Sequence, residues 1–230
     1  ELFNCCLELL CHHFPAALKF SLNHCFWKIK WILFYKLFKQ GKLTNNRKPL
    51  HKGRSIYGLC VGSQQLYDWV GNNPRIQTDL VSYINDPHVI SKNPYQVSIN
   101  GCVTADIYGQ VCSESSGTRQ ISGTGGQMDF VEGAMLSVGG HSFLCMTSVR
   151  KDRNGQLKSN ILSRFTQGDV ITTPRAQTDY IVTEQGIVNL IGKNTWERAE
   201  EIISLAHPDF REQLIKDAER QKIWRRSNKR

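Results

Sequence analysis

The pattern of apolar and polar residues changes at Gly41. After it, short apolar runs alternate with glycine-containing turns and with segments whose apolar residues have helical spacing. Residues 55–61 form an apolar run that ends at Gly62, and this run predicts a strand. Residues 63–70 have helical spacing of their apolar positions, with Ser63 as the predicted N-cap. The order strand, glycine, helix is typical of α/β sheets, which bind ligands beyond the carboxyl ends of their strands.

The rest of the chain extends this α/β pattern. Strands are predicted at residues 97–100, 103–107, 142–146, 170–172 and 179–183. Near the end, Asn194 or Thr195 caps one predicted helix and Pro208 begins another. The residues predicted to face inward from these two helices are Trp196, Ala199, Ile202 and Ile203, and then Phe210, Leu214, Ile215 and Ala218.

The net charge of +9 is concentrated at the two ends of the chain. Residues 1–54 contain ten Lys or Arg against two acidic residues, and residues 219–230 contain six against one. The body between them, residues 55–218, has a net charge of −4. Since basic ends are usually solvated chain, the charge disfavours a nucleic-acid-binding protein, and no nucleic-acid-binding motif is present.

Eight cysteines raise the question of disulfides or a metal site. Cys60, Cys102, Cys112 and Cys145 are scattered singly and no C-x-x-C occurs, which is typical of buried thiols in a reducing compartment. Cys11, His12, His13 and Cys25 could supply metal ligands, but their spacing matches no known site, so no metal is predicted.

Residues 1–34 differ from the rest of the chain. They begin with Glu1 rather than Met, which indicates a fragment or a processed product, and they hold clustered Cys, His and aromatic residues. Lysines interrupt the apolar run before it reaches the roughly 18 residues that a membrane span needs. Three interpretations stay open: a basic targeting region, a short interfacial helix, or sequence that is not native to the protein.

The densest chemical signal is the glycine segment at residues 117–130. Four glycines in ten residues allow positive φ and let backbone N–H groups approach an anion or a developing oxyanion. Met128 stands where the dinucleotide fingerprint G-x-G-x-x-G needs glycine, and Gly126-Gln127-Met128 is not the Gly-Lys-Ser/Thr of a phosphate loop. NAD and ATP are therefore disfavoured, and the alternative to a site is a tight turn that needs glycine for geometry alone.

Several motifs, in order, resemble the C-terminal domain of the acetyl-CoA hydrolase/transferase family. They are Ile84-Asn85-Asp86-Pro87, Ser98-Ile99-Asn100, Asp106-Ile107-Tyr108-Gly109-Gln110-Val111, Ser122-Gly123-Thr124-Gly125-Gly126-Gln127-Met128-Asp129-Phe130, Val182-Thr183-Glu184-Gln185-Gly186 and Ala206-His207-Pro208-Asp209-Phe210-Arg211. Among family members, the 4-hydroxybutyrate, butyryl and acetate CoA-transferases look most similar. The resemblance covers residues 35–221, between the atypical segment 1–34 and a basic tail at 222–230.

The resemblance implies a CoA-transferase-type open sheet flanked by helices, as the C-terminal domain of a two-domain enzyme with its active site between the domains. It implies transfer of CoA between an acyl-CoA and a short-chain, acetate-type carboxylic acid, with CoA as a substrate and no tightly bound cofactor. A glutamate carboxylate attacks the acyl-CoA, and a glutamyl-CoA thioester then passes CoA to the acceptor.

The resemblance also assigns roles to residues. Gly125 and Gly126 match the loop that lines the CoA thioester and supplies N–H donors, and Ser122 lies on the approach to it. Asn100 matches a position whose amide orients the reacting carbonyl; without the resemblance, it reads as a strand-end turn residue. Glu184 matches the second acidic residue of the family's site, where the implied role is positioning or proton handling. Without the resemblance, it reads as the cap of a helix or turn.

The nucleophilic glutamate of the family has no counterpart on this chain. Counting about thirteen residues back from Gly41 reaches Lys28, and no glutamate lies between Glu8 and Glu114. A lysine cannot form the acyl-glutamyl anhydride. Lys151 or Lys158 is a candidate cation for the CoA phosphates.

The expected protein is therefore an enzyme fragment, inactive alone, that lacks its N-terminal domain. A thioester hydrolase on the same scaffold and a non-catalytic CoA-binding paralogue stay open. The expected partners are acyl-CoA, a carboxylate and further copies of the chain, with no nucleic acid and no membrane span. The expected compartment is the mitochondrion in a eukaryote and the cytoplasm in a bacterium.

Overall fold

The structure is a computed structural model that describes residue 35 and residues 38–223. Lys28, the Cys11, His12, His13 and Cys25 set, all of segment 1–34 and most of the basic tail lie outside these residues. Residues 35, 38 and 39 are helical, and the helices that follow them are α1 (Gln64–Gly71), α2 (Val81–Ile84), α3 (Pro87–Ser91), α4 (Gln127–Leu136), α5 (Thr195–Ser204) and α6 (Pro208–Arg220).

Thirteen short strands occur in the same residues. They are β1 (Ser55–Tyr57), β2 (Ile76–Thr78), β3 (Val97–Gly101), β4 (Thr104–Asp106), β5 (Val111–Cys112), β6 (Ser115–Ser116), β7 (Arg119–Gln120), β8 (His141–Cys145), β9 (Val149–Lys151), β10 (Leu157–Ser159), β11 (Ile161–Leu162), β12 (Tyr180–Thr183) and β13 (Gly186–Asn189). The largest sheet has the order β13-β12-β8-β3, in which β8 and β12 run parallel and β12 and β13 form an antiparallel hairpin. The fold is therefore α/β with open sheets, as predicted.

The chain divides into two compact units. In its described residues, unit 1 comprises residues 101–128 and 143–223, and unit 2 comprises the residues up to 100 together with 129–142. Unit 1 contains β12, β13, α5, α6 and the small sheet β11-β4-β5, and its core residues include Leu144 and Ile181, both 0% exposed. In unit 2, the parallel pair β1–β2 accompanies a core of Ile56, Ile84, Ile90 and Phe130.

The terminal helices begin as their sequences predict. The Asn194 side chain accepts a hydrogen bond from the Glu197 amide, and the Glu197 side chain accepts one from the Asn194 amide, so α5 begins with a complete capping box. Pro208 occupies the first turn of α6, where its missing N–H costs nothing. Ile215 was predicted to face inward but is 37% exposed, because α6 buries a narrower stripe along Leu214 and Ala218.

Two predicted strands differ from the structure. The strand predicted at residues 55–61 ends at Tyr57, because β2 pairs with β1 only over three residues. Residues 170–172 form no strand. Both the Thr172 and the Thr173 amides donate to the same Val111 carbonyl, so this segment makes an isolated bridge instead of a ladder. Ser63 does precede α1, but its side chain makes no capping hydrogen bond.

Candidate functional site: a glycine loop and a held carboxylate

The glycine loop, defined as residues 122–127, leads directly into α4. Gly125 has a φ of +58°, a left-handed conformation that favours glycine. Residues 122–125 are exposed, whereas Gly126 and Gln127 are buried. Because α4 begins at Gln127, the amides of its first turn lack partners within the helix, and the helix dipole favours negative charge here. The loop can therefore present N–H groups to an anionic oxygen.

Glu114 holds the start of this loop. Its backbone carbonyl accepts hydrogen bonds from the amides of Ile121, at 2.7 Å, and Ser122, at 3.2 Å. Its side chain, in a residue 7% exposed, accepts hydrogen bonds from Thr124 Oγ1 at 3.4 Å and Thr172 Oγ1 at 3.0 Å. Glu114 therefore contacts the loop through both its main chain and its side chain.

The far end of the loop is fixed next to the same anchor. Gln127 Nε2 donates to Thr173 Oγ1 at 2.9 Å in a fully buried contact. Thr172 also accepts a hydrogen bond from the Ser113 amide at 2.9 Å through its Oγ1. Thr173 therefore holds the far end of the glycine loop directly, whereas Thr172 holds Glu114, which contacts the start of the loop.

Glu184 lies in the turn that joins β12 to β13. The Ser148 amide donates to its two carboxylate oxygens, at 2.9 Å to Oε2 and 3.2 Å to Oε1, and the Ser148 hydroxyl donates to Oε1. Ser148 follows β8, and β8 is the parallel neighbour of β12, so the carboxyl ends of two adjacent strands bring the two residues together.

The surroundings of Glu184 favour its ionised form. Partial desolvation raises the pKa of the carboxyl group, but hydrogen bonds from the Ser148 side chain and amide, the Glu184 amide and the Gln185 side chain together outweigh this effect. The pKa of Glu184 consequently lies below its ordinary value. At neutral pH the group is an anion that accepts hydrogen bonds and does not donate a proton.

Asn100 is buried near the end of β3, in unit 2. Its Nδ2 donates to Ser98 Oγ at 2.9 Å, and its buried Oδ1 has no hydrogen-bond partner in the described part of the chain. Because the Ser98 hydroxyl can donate as well as accept, a half-turn of the amide would leave Nδ2 free instead. Either way, one buried amide atom of Asn100 has no hydrogen-bond partner among the described residues.

The two lysines that are candidates for binding the CoA phosphates, Lys151 and Lys158, differ in their side-chain contacts. Lys151 ends β9 on an exposed hairpin, and it makes no hydrogen bond or ion pair with other described residues. Lys158 lies on the partner strand β10, where its Nζ donates to Gln156 Oε1 at 3.3 Å and pairs with Asp152 at 3.8 Å. Of the two, Lys151 has the charge that is open to a ligand.

Glu184, Lys151 and residues 122–127 belong to unit 1, whereas Asn100 belongs to unit 2. No hydrogen bond joins Glu184 to the glycine loop among the described residues. Sequence reasoning overlooked Ser148, Glu114, Thr172 and Thr173 as parts of the site. A lone glutamate flanked by serines, at Ser113-Glu114-Ser115, was a signal for Glu114, whereas nothing local marks Ser148.

Neither a cluster of potential metal ligands nor a helix of membrane-spanning character occurs among the residues with described positions. They contain no group of three or more His, Cys, Asp or Glu side chains arranged to hold a metal ion. Their helices include none with the length and apolar character to cross a membrane.

Residues 62–218 match the acetyl-CoA hydrolase/transferase C-terminal domain. The chain is 48% identical over 196 residues to the butyryl-CoA:acetate CoA-transferase of Anaerostipes caccae, a match that covers 85% of this chain and 44% of that protein. It is 45% identical over 182 residues to the 4-hydroxybutyrate coenzyme A transferase of Clostridium kluyveri, covering 79% and 42%. A more distant match, 32% over 133 residues, is an acetyl-CoA hydrolase of Schizosaccharomyces pombe.

The solved structure of RipA from Yersinia pestis is similar in fold and in sequence. The TM-score is 0.75 at 42% identity, and the match covers 83% of this chain and 42% of RipA. The chain thus spans less than half the length of these relatives. With a domain match over most of its length and relatives above 40% identity, the chain belongs to the acetyl-CoA hydrolase/transferase family.

Proposed function

We propose that this chain supplies the C-terminal half of a CoA-transferase that moves CoA from an acyl-CoA to a short-chain carboxylate. The observation that carries the proposal is the glycine loop at the start of α4, in a chain with relatives at 48% and 45% identity that are named as CoA-transferases. A loop of this kind suits a thioester carbonyl, whose oxygen gains negative charge during attack.

The proposed reaction has two halves. A glutamate carboxylate attacks the acyl carbon, the C–S bond breaks, and the CoA thiolate leaves behind a mixed anhydride. The thiolate attacks the glutamyl carbonyl, which releases the first carboxylate and leaves a glutamyl-CoA thioester. The acceptor carboxylate reverses these steps: it attacks the thioester, and the thiolate then attacks the acceptor's acyl carbon and frees the glutamate.

In this proposal the residues of the chain bind and orient, and they do not attack. The N–H groups of Gly125 and Gly126 stabilise the oxyanion at each tetrahedral stage. Asn100 directs its unpaired amide atom at a polar group of the substrate. Glu184, ionised and held by Ser148, positions a hydrogen-bond donor of the substrate or of the enzyme, and Lys151 contacts CoA phosphate.

The nucleophile comes from outside the described residues. Lys28 stands at the counted position, and an amine cannot form the anhydride on which the reaction depends. We therefore propose that the chain alone does not transfer CoA and that activity requires a glutamate and the domain that its relatives carry in addition.

A hybrid enzyme tests the proposal. The Anaerostipes caccae protein supplies everything before the position matched by Gly41, and residues 41–221 of this chain replace its equivalent part. With butyryl-CoA and acetate, the hybrid should form acetyl-CoA, whereas the 230-residue chain alone should not. A well-folded hybrid that leaves both substrates untouched would refute the proposal.

A hydrolase on the same scaffold is the second candidate, favoured by the acetyl-CoA hydrolase match. The same assay separates the two activities, because a hydrolase uses water as the acceptor and releases free CoA even when no acetate is added. If release of free CoA by the hybrid exceeds acetyl-CoA formation at saturating acetate, the hydrolase assignment replaces the transferase assignment.

A further inference from the structure

Glu114 is the point at which the glycine loop is tied to the body of unit 1. Its backbone carbonyl accepts hydrogen bonds from the Ile121 and Ser122 amides. One oxygen of its carboxyl group accepts hydrogen bonds from Thr124 Oγ1 and Gln120 Nε2, both at 3.4 Å. The other carboxyl oxygen accepts a hydrogen bond from Thr172 Oγ1 at 3.0 Å. We propose that Glu114 is a positioning residue for CoA transfer, fixing the glycine loop so that its N–H groups point at the thioester oxygen; this rests on the function proposed above.

In the structure, both carboxyl oxygens of Glu114 act as acceptors. All three side-chain partners of Glu114 are neutral donors, and none of the ion pairs in the described part of the chain involves it. An amide at this position would turn its NH₂ group either toward Gln120 Nε2, which can only donate, or toward Thr172 Oγ1, which already accepts a hydrogen bond from the Ser113 amide. Since Glu114 is buried, a mismatched donor there cannot be satisfied by water.

The position of Glu114 is itself rigid. Glu114 directly precedes β6, and the Ser115 hydroxyl accepts a hydrogen bond from the Val170 amide at 3.0 Å. Nearby, the Gly117 amide donates to Asp169 Oδ1 at 2.7 Å. The segment that carries Glu114 is therefore fixed to residues 169–173, the same stretch that holds Gln127 at the other end of the loop.

This geometry explains how an exposed loop can keep one conformation. Residues 122–125 are exposed, and Gly125 adds backbone freedom, so the loop itself buries little that would order it. Oxyanion donors are effective only when they are already oriented before charge develops. Glu114 touches no reacting atom in this account; it acts through the loop.

Hydrogen–deuterium exchange on the 230-residue chain is the first test. In Glu114→Gln, the amides of residues 121–126 should exchange at least tenfold faster, while those of β8 and β12 keep their rates. Glu132→Gln, the same change at an exposed site on α4, is the matched control and should change none of these rates. Unchanged exchange at 121–126 in Glu114→Gln would overturn the proposal.

Thr124→Val covers the case in which Glu114→Gln does not fold. Thr124 is exposed, so the variant keeps the fold while removing one donor to Glu114 Oε2. As in Glu114→Gln, the amides of residues 121–126 should exchange faster than in the wild type. Exchange of these amides at the wild-type rate would count against the proposal.

Kinetics in the hybrid enzyme distinguish positioning from simple structural support. Glu114→Gln should lower kcat by tenfold or more per correctly folded enzyme, with KM for butyryl-CoA changed less than threefold, because oriented donors act on the transition state. A rise in KM at unchanged kcat would overturn the positioning role. An inactive parent hybrid would instead refute the proposed function and leave the exchange result to decide the role of Glu114 in the loop.

Discussion

The Ser148 amide lies 2.9 Å from Glu184 Oε2, and the Ser148 hydroxyl donates to the other oxygen of the same carboxylate. This pairing joins the ends of two parallel strands and keeps Glu184 ionised on an exposed turn. Glu184 is consequently a fixed anion at the edge of the sheet, where α/β proteins place their chemistry.

Ser148→Ala should raise the pKa of Glu184. The variant removes the hydroxyl donor but keeps the amide donor, so burial is opposed by fewer hydrogen bonds. A ¹³C NMR titration of the carboxyl carbon should show its midpoint move to higher pH, and Glu184→Gln identifies the signal. Exposed Ser82→Ala is the control and should leave the midpoint in place. A midpoint unchanged in Ser148→Ala would contradict the account.

The pairing also predicts a direction for stability at acid pH. Because the pKa of Glu184 is lower in the folded chain than its ordinary 4.5, its contribution is present above that value and is lost as pH falls through the folded pKa. Ser148→Ala should therefore lose less stability than the wild type between pH 5 and acid conditions, measured by urea unfolding as a function of pH.

Gly125→Ala should disturb the loop more than Gly123→Ala. Gly125 has a φ of +58°, so a Cβ there costs about 1–2 kcal/mol. Gly123 has no positive φ, and a Cβ built there meets no atom within 4 Å. Urea unfolding should show a lower free energy of unfolding for Gly125→Ala only. Equal losses for the two variants would contradict the assigned loop conformation.

Lys48 in unit 2 should produce a pH-dependent stability at alkaline pH. Burial lowers the pKa of this lysine from 10.5 to about 8, and the residue is only 3% exposed. Between those values the unfolded chain binds more protons than the folded chain, so the free energy of unfolding rises with pH, in total by roughly 3 kcal/mol.

Lys48→Met removes this titration and should flatten the rise between pH 8 and 10.5. Lys52→Met changes an exposed lysine of the same region and should keep the wild-type slope. Denaturant unfolding at several pH values checks both variants. A Lys48→Met chain with the wild-type slope would show that Lys48 is not desolvated.

Local chemistry explains which features the sequence could predict. The N-cap of α5 depends on one local residue, and Asn194, one of the two predicted caps, occupies that position and forms a capping box with Glu197. The glycine loop was also visible, since glycine density is a local signal. Residues 170–172 are apolar enough for a strand, but strand formation depends on a distant partner, and Val111 offers only one bridge.

The supporting residues of the site depend on long-range contacts. Ser148 and Glu184 are 36 residues apart, and Glu114 and Thr172 are 58 apart. A serine or threonine that will hold a carboxylate looks the same in the sequence as one on the surface. The resemblance could therefore indicate Glu184 and Gly125, whereas the residues that fix them required the fold.

Whether this chain supplies part of a CoA-transferase site that depends on Glu184 is tested most directly by one rate. It is the rate of acetyl-CoA formation from butyryl-CoA and acetate in the hybrid enzyme, with and without Glu184→Gln. The hybrid should transfer CoA, and Glu184→Gln should lower kcat/KM by at least a hundredfold while the melting temperature changes little. Exposed Glu132→Gln should retain the parent rate. Wild-type turnover in Glu184→Gln would contradict the site described for this chain.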